Sequence, residues 1–182
     1  MKRICLCMLL LASLLLCGCG SKSDEKLLIG FSADLNERSD LSFVSKLRCE
    51  YDDRSVSFTL QYKQNERGCS IGVLQPEEIE GLSVELDENG SVLRYDELFI
   101  DTGDLDCFGL SPLSALPMLA DALREPFVDA VRHEGSELVY TLVPADDISI
   151  DVWFNADDMI PLHAELASGG RVRVFCDLES WR

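Results

Sequence analysis

From residue 43 onward the sequence alternates apolar and polar positions with a period of two, and only one later stretch breaks into a helical period. Phe43, Leu47, Cys49 and Tyr51 alternate with Lys46, Arg48 and Glu50, and Val56, Phe58, Leu60 and Tyr62 alternate with Ser55, Ser57, Thr59 and Gln61. Such alternation predicts strands with one face buried, and Asp52-Asp53-Arg54 is the turn between these two. Cys69, Ile71 and Val73 continue the pattern, Pro76 to Gly81 predicts a turn or one helical turn, and Leu82, Val84 and Leu86 lead into Glu88-Asn89-Gly90. Asn-Gly between alternating segments is a strong hairpin signal. Val92 to Tyr95 and Leu98 to Ile100 predict two short strands separated by Asp96-Glu97.

Gly109 to Pro126 carries the helical period. Leu113, Leu116, Leu119, Ala120 and Leu123 form a stripe that Met118 and Ala122 widen, while Asp121, Arg124 and Glu125 face away. Ser111 or Ser114 caps the start, Pro112 or Pro117 fits the first turn, and Pro126 forbids continuation. Strands then resume over Phe127–His133, Glu137–Val143, Ile148–Phe154, Ile160–Leu166 and Arg171–Asp177, joined by short turns, which makes this half an antiparallel meander. Leu27, Leu28, Ile29, Phe31 and Leu35 are compatible with a short helix or an edge strand.

The elements predict an α+β, mostly β fold with about eleven strands. At about 4.8 Å per strand the sheet is roughly 50 Å wide, whereas the helix is about 20 Å long. One helix cannot cover a flat sheet of that width. The sheet is therefore expected to curl into an open or closed barrel with the helix as plug or lid.

The first residues change the picture. Lys2 and Arg3 precede an apolar run, Ile4 to Leu16, too short for a stable bilayer span, which marks residues 1–18 as a signal peptide. Leu16-Cys17-Gly18-Cys19 resembles the bacterial lipobox. That resemblance implies cleavage before Cys19 and lipidation of its sulfur, with acyl chains anchoring the protein on the extracytoplasmic face of the cell membrane. Cys19 to Lys26 has the composition of a flexible tether, so residues 27–182 are expected to form one domain.

The chain holds 33 acidic against 16 basic residues, a formal net charge of −17, and no basic stripe interrupts the acid. Nucleic acid is therefore excluded as a partner. Candidate chemistry is sparse. His133 and His163 read as solvent-facing, and no Ser lies in a Gly-x-Ser-x-Gly elbow. Asp96, Glu97, Asp101, Asp104 and Asp106 are dense in oxygen ligands but lack a calcium-loop spacing. No catalytic residue, metal site or cofactor is assigned. Cys49, Cys69, Cys107 and Cys176 show no C-x-x-C spacing. The apolar parity of Cys49, Cys69 and Cys176 points to free or partly paired core thiols, with two disulfides in any of three connectivities as the alternative.

Together the lipobox, the strand run, the segment G-C-x-I-x-V-L-x-P-E-E-I-x-G at Gly68 to Gly81 and a helix opening Leu110-Ser111-Pro112 resemble the LolA/LolB-like lipoprotein carrier fold over roughly residues 41–180. Within it, the chain is most similar to Gram-positive lipoproteins related to a clostridial spore-germination lipoprotein. The resemblance implies an unclosed half-barrel whose helices lie as a lid over an apolar cavity, and carriers of this fold accept acyl chains of lipoproteins there. The carriers use several helices, and this sequence shows one strong helix. The expected function is non-enzymatic binding of an acyl chain, a lipoprotein or another hydrophobic ligand, lined by Phe58, Leu60, Ile71, Val73, Leu116, Leu119 and Leu123. The alternative is a membrane-tethered module that docks or regulates another cell-envelope protein.

Overall fold

The computed structural model describes residues 21–88, 90–103 and 110–182. Helix α1 spans Ser21–Glu37 and is followed by strands β1 (Leu41–Glu50), β2 (Ser55–Asn65) and β3 (Gly68–Gln75). A single 3-10 turn at Glu77–Ile79 precedes β4 (Ser83–Asp87), β5 (Gly90–Tyr95) and β6 (Leu98–Gly103). Helix α2 (Pro112–Arg124) then leads to β7 (Val128–Glu134), β8 (Glu137–Ala145), β9 (Ile148–Asn155), β10 (Pro161–Ser168) and β11 (Arg171–Glu179).

All strands join one 11-stranded sheet in the order β6-β5-β4-β3-β2-β1-β11-β10-β9-β8-β7. Two meanders, β1–β6 and β7–β11, meet where β1 pairs antiparallel with β11 from Val44↔Glu179 to Cys49↔Val174. The sheet is open, with β6 and β7 as its two edges. Helix α2 carries the chain from one edge to the other, and both helices bury their apolar stripes in the core formed by the central strands. This is the half-barrel that the width argument predicts, in its open form.

Local chemistry explains α2. Ser111 is the N-cap: its Oγ accepts from the Ser114 amide at 3.2 Å, and the Ser114 Oγ accepts from the Ser111 amide at 2.9 Å. Both candidate serines thus act together, as a reciprocal box that satisfies two amides the helix leaves unpaired. Pro112 takes the first helical position, whereas Pro117 sits inside the helix, where it removes the bond that Leu113 would otherwise receive. Ala115, Leu116, Leu119, Ala120, Ala122 and Leu123 are buried.

Helix α1 corrects the reading of the leading segment. Residues 21–26, with the composition of a tether, form the opening turns of a 17-residue helix. The apolar signal is narrow, since among its described side chains Leu28, Ser32 and Leu35, at spacings of four and three, make the buried stripe. Phe31 adds an edge-to-face contact with Phe154 at 5.2 Å. The lid thus has two helices instead of one. Asn89 lies outside the described residues, and Gly90 opens β5 with φ +125°.

The inner face of the sheet is packed with Leu41, Phe43, Leu47 and Cys49 from β1, Leu60 and Tyr62 from β2, and Tyr140, Leu142, Ile150, Val152 and Phe154 from β8 and β9. Phe43 lies 4.9 Å from Tyr62 and stacks on Trp181 at 4.7 Å, so the residues after β11 close the core. Leu119→Ala is expected to destabilise the domain by about 3 kcal/mol and Ser111→Ala by about 1 kcal/mol, measured by urea unfolding. An unchanged midpoint for Leu119→Ala would show that α2 is not part of the core.

Candidate functional site

The space between sheet and helices is where the sequence places a ligand, and the structure brings its seven lining residues together. Leu60 pairs with Val73 and Tyr62 with Ile71 across β2 and β3, which aligns their side chains on the inner face. Leu116, Leu119 and Leu123 descend on them from α2. Ile71, Leu116, Leu119 and Leu123 are fully buried, Leu60 and Val73 nearly so, and Phe58 is half-buried at the margin. All seven belong to one continuous apolar core. A hollow of about 600 Å³ does reach Phe58, but it opens on the other face of the sheet among Lys46, Arg48, Ser57, Thr59 and Gln75. A second hollow, of about 420 Å³, lies between α1 and the β9–β10 turn, lined by Phe31, Asp34, Met159, Ile160 and Trp181.

The two helices are latched to each other and to the sheet. Arg124, in the last turn of α2, donates from Nη1 to the Leu35 carbonyl at 2.8 Å and from Nε to Gln64 Oε1 at 3.2 Å. Its own carbonyl accepts from Ser32 Oγ and, at 2.9 Å, from Asn36 Nδ2. At the other end of α1, the Asp24 carbonyl accepts from the Tyr140 hydroxyl at 2.7 Å, while the Asp24 carboxylate meets His133 Nε2 at 3.1 Å. Burial pushes the Tyr140 hydroxyl up to about 12, so it stays a donor at any physiological pH. The sequence singled out Arg124 only as a residue facing away from the stripe. Nothing in its spacing reveals that it caps α1 from another element.

The burial of the inner face fades toward the β6 edge. Val84 on β4 is buried, its partner Leu93 on β5 is half-buried, and Ile100 opposite Leu93 on β6 is 52% exposed. Leu98 and Phe99 are 62% and 61% exposed. On the outer face Arg94 is bound to Glu85 at 2.7 Å and lies 4.8 Å over the Phe99 ring.

Both histidines lie where the sequence puts them, toward solvent. His163 Nδ1 meets Asp177 at 2.8 Å and its ring stands edge-on to Trp153 at 5.1 Å. His163 joins an outer-face network that the sequence reading missed, in which Arg132 reaches Glu134 at 2.7 Å and Asp151 at 3.0 Å and Trp153 donates to Glu134 at 2.9 Å, whereas His133 points to the other face, toward Asp24 of α1. The indole N–H first, and Arg132 second, hold the Glu134 carboxyl below the usual carboxylate range. The signal was present as polar residues of shared parity on adjacent strands. Such a network ties strands together and contains no nucleophile and base pair. Among the described residues no cluster of three His, Cys, Asp or Glu side chains is placed to hold a metal ion. Asp104 and Asp106 of the acidic run, with Cys19 and Cys107, lie outside the described residues.

Cys49, Cys69 and Cys176 are free thiols. Burial pushes Cys49 up to about 11 and raises Cys69 and Cys176 as well. Because only the thiolate alkylates, iodoacetamide at pH 8 is expected to label Cys49 and Cys176 about a hundredfold more slowly in the folded domain than in urea. Peptide mapping under non-reducing conditions checks this, and a Cys49–Cys176 bridge would contradict it.

No protein-family model matches this sequence, and no curated protein matches it either. Solved structures do match at low identity. The lipoprotein LppX of Mycobacterium tuberculosis shares 11% identity over 88% of this chain and 96% of its own, with a TM-score of 0.50. A LolA superfamily protein of Nitrosomonas europaea shares 11% identity over 87% and 92%, with a TM-score of 0.48. A structure of the Clostridioides difficile CwlD amidase in complex with the GerS lipoprotein matches at 15% identity over 87% and 93%, with a TM-score of 0.43. Identities this low speak for fold and not for shared activity. The chain has an open antiparallel sheet folded over two helices, a fold similar to that of the lipoprotein LppX.

Proposed function

We propose that this protein is a membrane-anchored lipoprotein whose work is non-enzymatic docking of another cell-envelope protein. The observation that carries this reading is the packed interior. An acyl chain held at Leu60, Ile71, Leu116, Leu119 and Leu123 needs space that these side chains themselves occupy, each of them at most 1% exposed. Opening it means pulling α2 from the core and breaking the Arg124 latch. Exposed apolar surface lies instead at the rim of the sheet, where a protein partner has access.

The anchor supports the same reading. No helix among the described residues is long and apolar enough to cross a membrane, and Cys19 of the lipobox stands two positions before Ser21, the first residue of α1. Two residues span about 7 Å at most. With α1 fastened at both ends, lipid on Cys19 holds the whole domain close to the bilayer in a restricted orientation.

The competing reading, an acyl chain or lipoprotein ligand, draws support from one feature: Leu93, Tyr95, Leu98 and Ile100 extend the apolar inner face beyond the helices. Native mass spectrometry of residues 21–182, purified gently from a bacterial host, distinguishes the two. The docking reading expects the bare protein mass and no uptake of a fluorescent fatty acid. A lipid released on denaturation would overturn it in favour of the carrier-like reading.

A further inference from the structure

We propose that the β6 edge is the docking site, and that it takes an extended segment of another protein, apolar in its middle and flanked by Lys or Arg, as a twelfth strand. The proposal rests on the docking reading and adds to it the surface and the chemistry of the partner.

The two edges of this sheet are treated differently. An edge strand presents a row of unpaired amides and carbonyls, and proteins ordinarily guard it with charge, a bulge or a covering element. The β7 edge is guarded: Asp129, Arg132, His133 and Glu134 lie along it, and α1 is fastened against it through Asp24 and His133. On the β6 edge, among the described residues, Leu98, Phe99 and Ile100 pair with β5 alone and are each more than half exposed. Because successive side chains point to opposite faces, Leu98 and Ile100 continue the inner face while Phe99 stands on the outer one. Apolar side chains are thus offered on both sides of an unpaired backbone. That is the arrangement that strand addition uses: main-chain bonds supply affinity, and alternate side chains seat on the two faces.

Charge selects the occupant. Asp96 and Glu97 stand exposed at the start of β6, and Glu88, in the β4–β5 turn, lies toward its far end, beside the Ser91↔Gly103 pair. Arg94, the nearby cation, is already bound to Glu85 and stacked on Phe99. A segment with basic flanks meets carboxylates at both ends. A second copy of this chain brings the same acids and another −17 against them.

The test is site-specific photocrosslinking of the full lipoprotein in its native host, with p-benzoylphenylalanine placed in turn at Phe99, Phe127 and Ile29. These three side chains are all exposed, and only Phe99 lies on the β6 edge. The expected result is one crosslinked species from position 99, with the partner peptide mapped by mass spectrometry to an extended segment bearing Lys or Arg on both sides of an apolar centre. In that background Leu98→Lys with Ile100→Lys should lower the yield at least about tenfold, the loss of about 1.4 kcal/mol of binding. The thermal melt should stay unchanged, since both side chains are exposed. Crosslinks only from Phe127 or Ile29 would overturn the β6 proposal and leave the docking reading standing. A crosslink from position 99 to a second copy of this chain, or to an acidic segment, would also overturn the proposal. No crosslink from any of the three positions would overturn both.

Discussion

The fold depends on one seam. Every other strand pair in the sheet joins neighbours in sequence, so each can close a short loop at small entropic cost. The pairing of β1 with β11 brings Val44–Cys49 against Val174–Glu179, from opposite ends of the domain, and it alone turns two separate meanders into one sheet. Hydrogen bonds between Ser42 and Arg182 extend the seam to the last residue, with Trp181 stacked on Phe43 beneath it. Leu47, Cys49, Val174 and Cys176 line its inner side and are buried. Long-range contacts of this kind form only after distant segments meet, so this seam closes the longest loop in the sheet.

The helices follow from the sheet. Once the two meanders are joined, the inner face is a broad apolar surface, and α2, which carries the chain between opposite edges, is placed to cover its middle. Helix α1 fills what α2 leaves. Arg124 couples them, because one guanidinium binds Leu35 and Gln64 while its backbone carbonyl receives Ser32 and Asn36. Removing that side chain leaves the Leu35 carbonyl and Gln64 Oε1 without this donor, so Arg124 joins α1, α2 and the sheet at one point.

Much of this was legible in the residues. The period of two gave the strands, since half-buried antiparallel strands must alternate, and the capping serines and Pro126 bounded α2 from both sides. The leading segment was misread because α1 buries only a thin stripe, Leu28, Ser32 and Leu35, beneath residues with a linker's composition. Periodicity is weak when tertiary contacts, such as Tyr140 to Asp24, supply the stabilisation. The residues named as a lining do face one interior, since Leu60 and Ile71 share an inward strand parity and Leu119 lies on the apolar stripe of α2. Whether inward residues surround a ligand or one another depends on how closely two elements approach, and no pattern in the sequence encodes that distance.

The most direct measurement of the central claim is a crystal structure of residues 21–182, with attention to the electron density between α2 and β2–β3. The account predicts continuous side-chain packing of Leu116, Leu119 and Leu123 against Leu60, Ile71 and Val73, with Arg124 bound to the Leu35 carbonyl. An elongated density separating α2 from the sheet, with the Arg124 latch open, would contradict it.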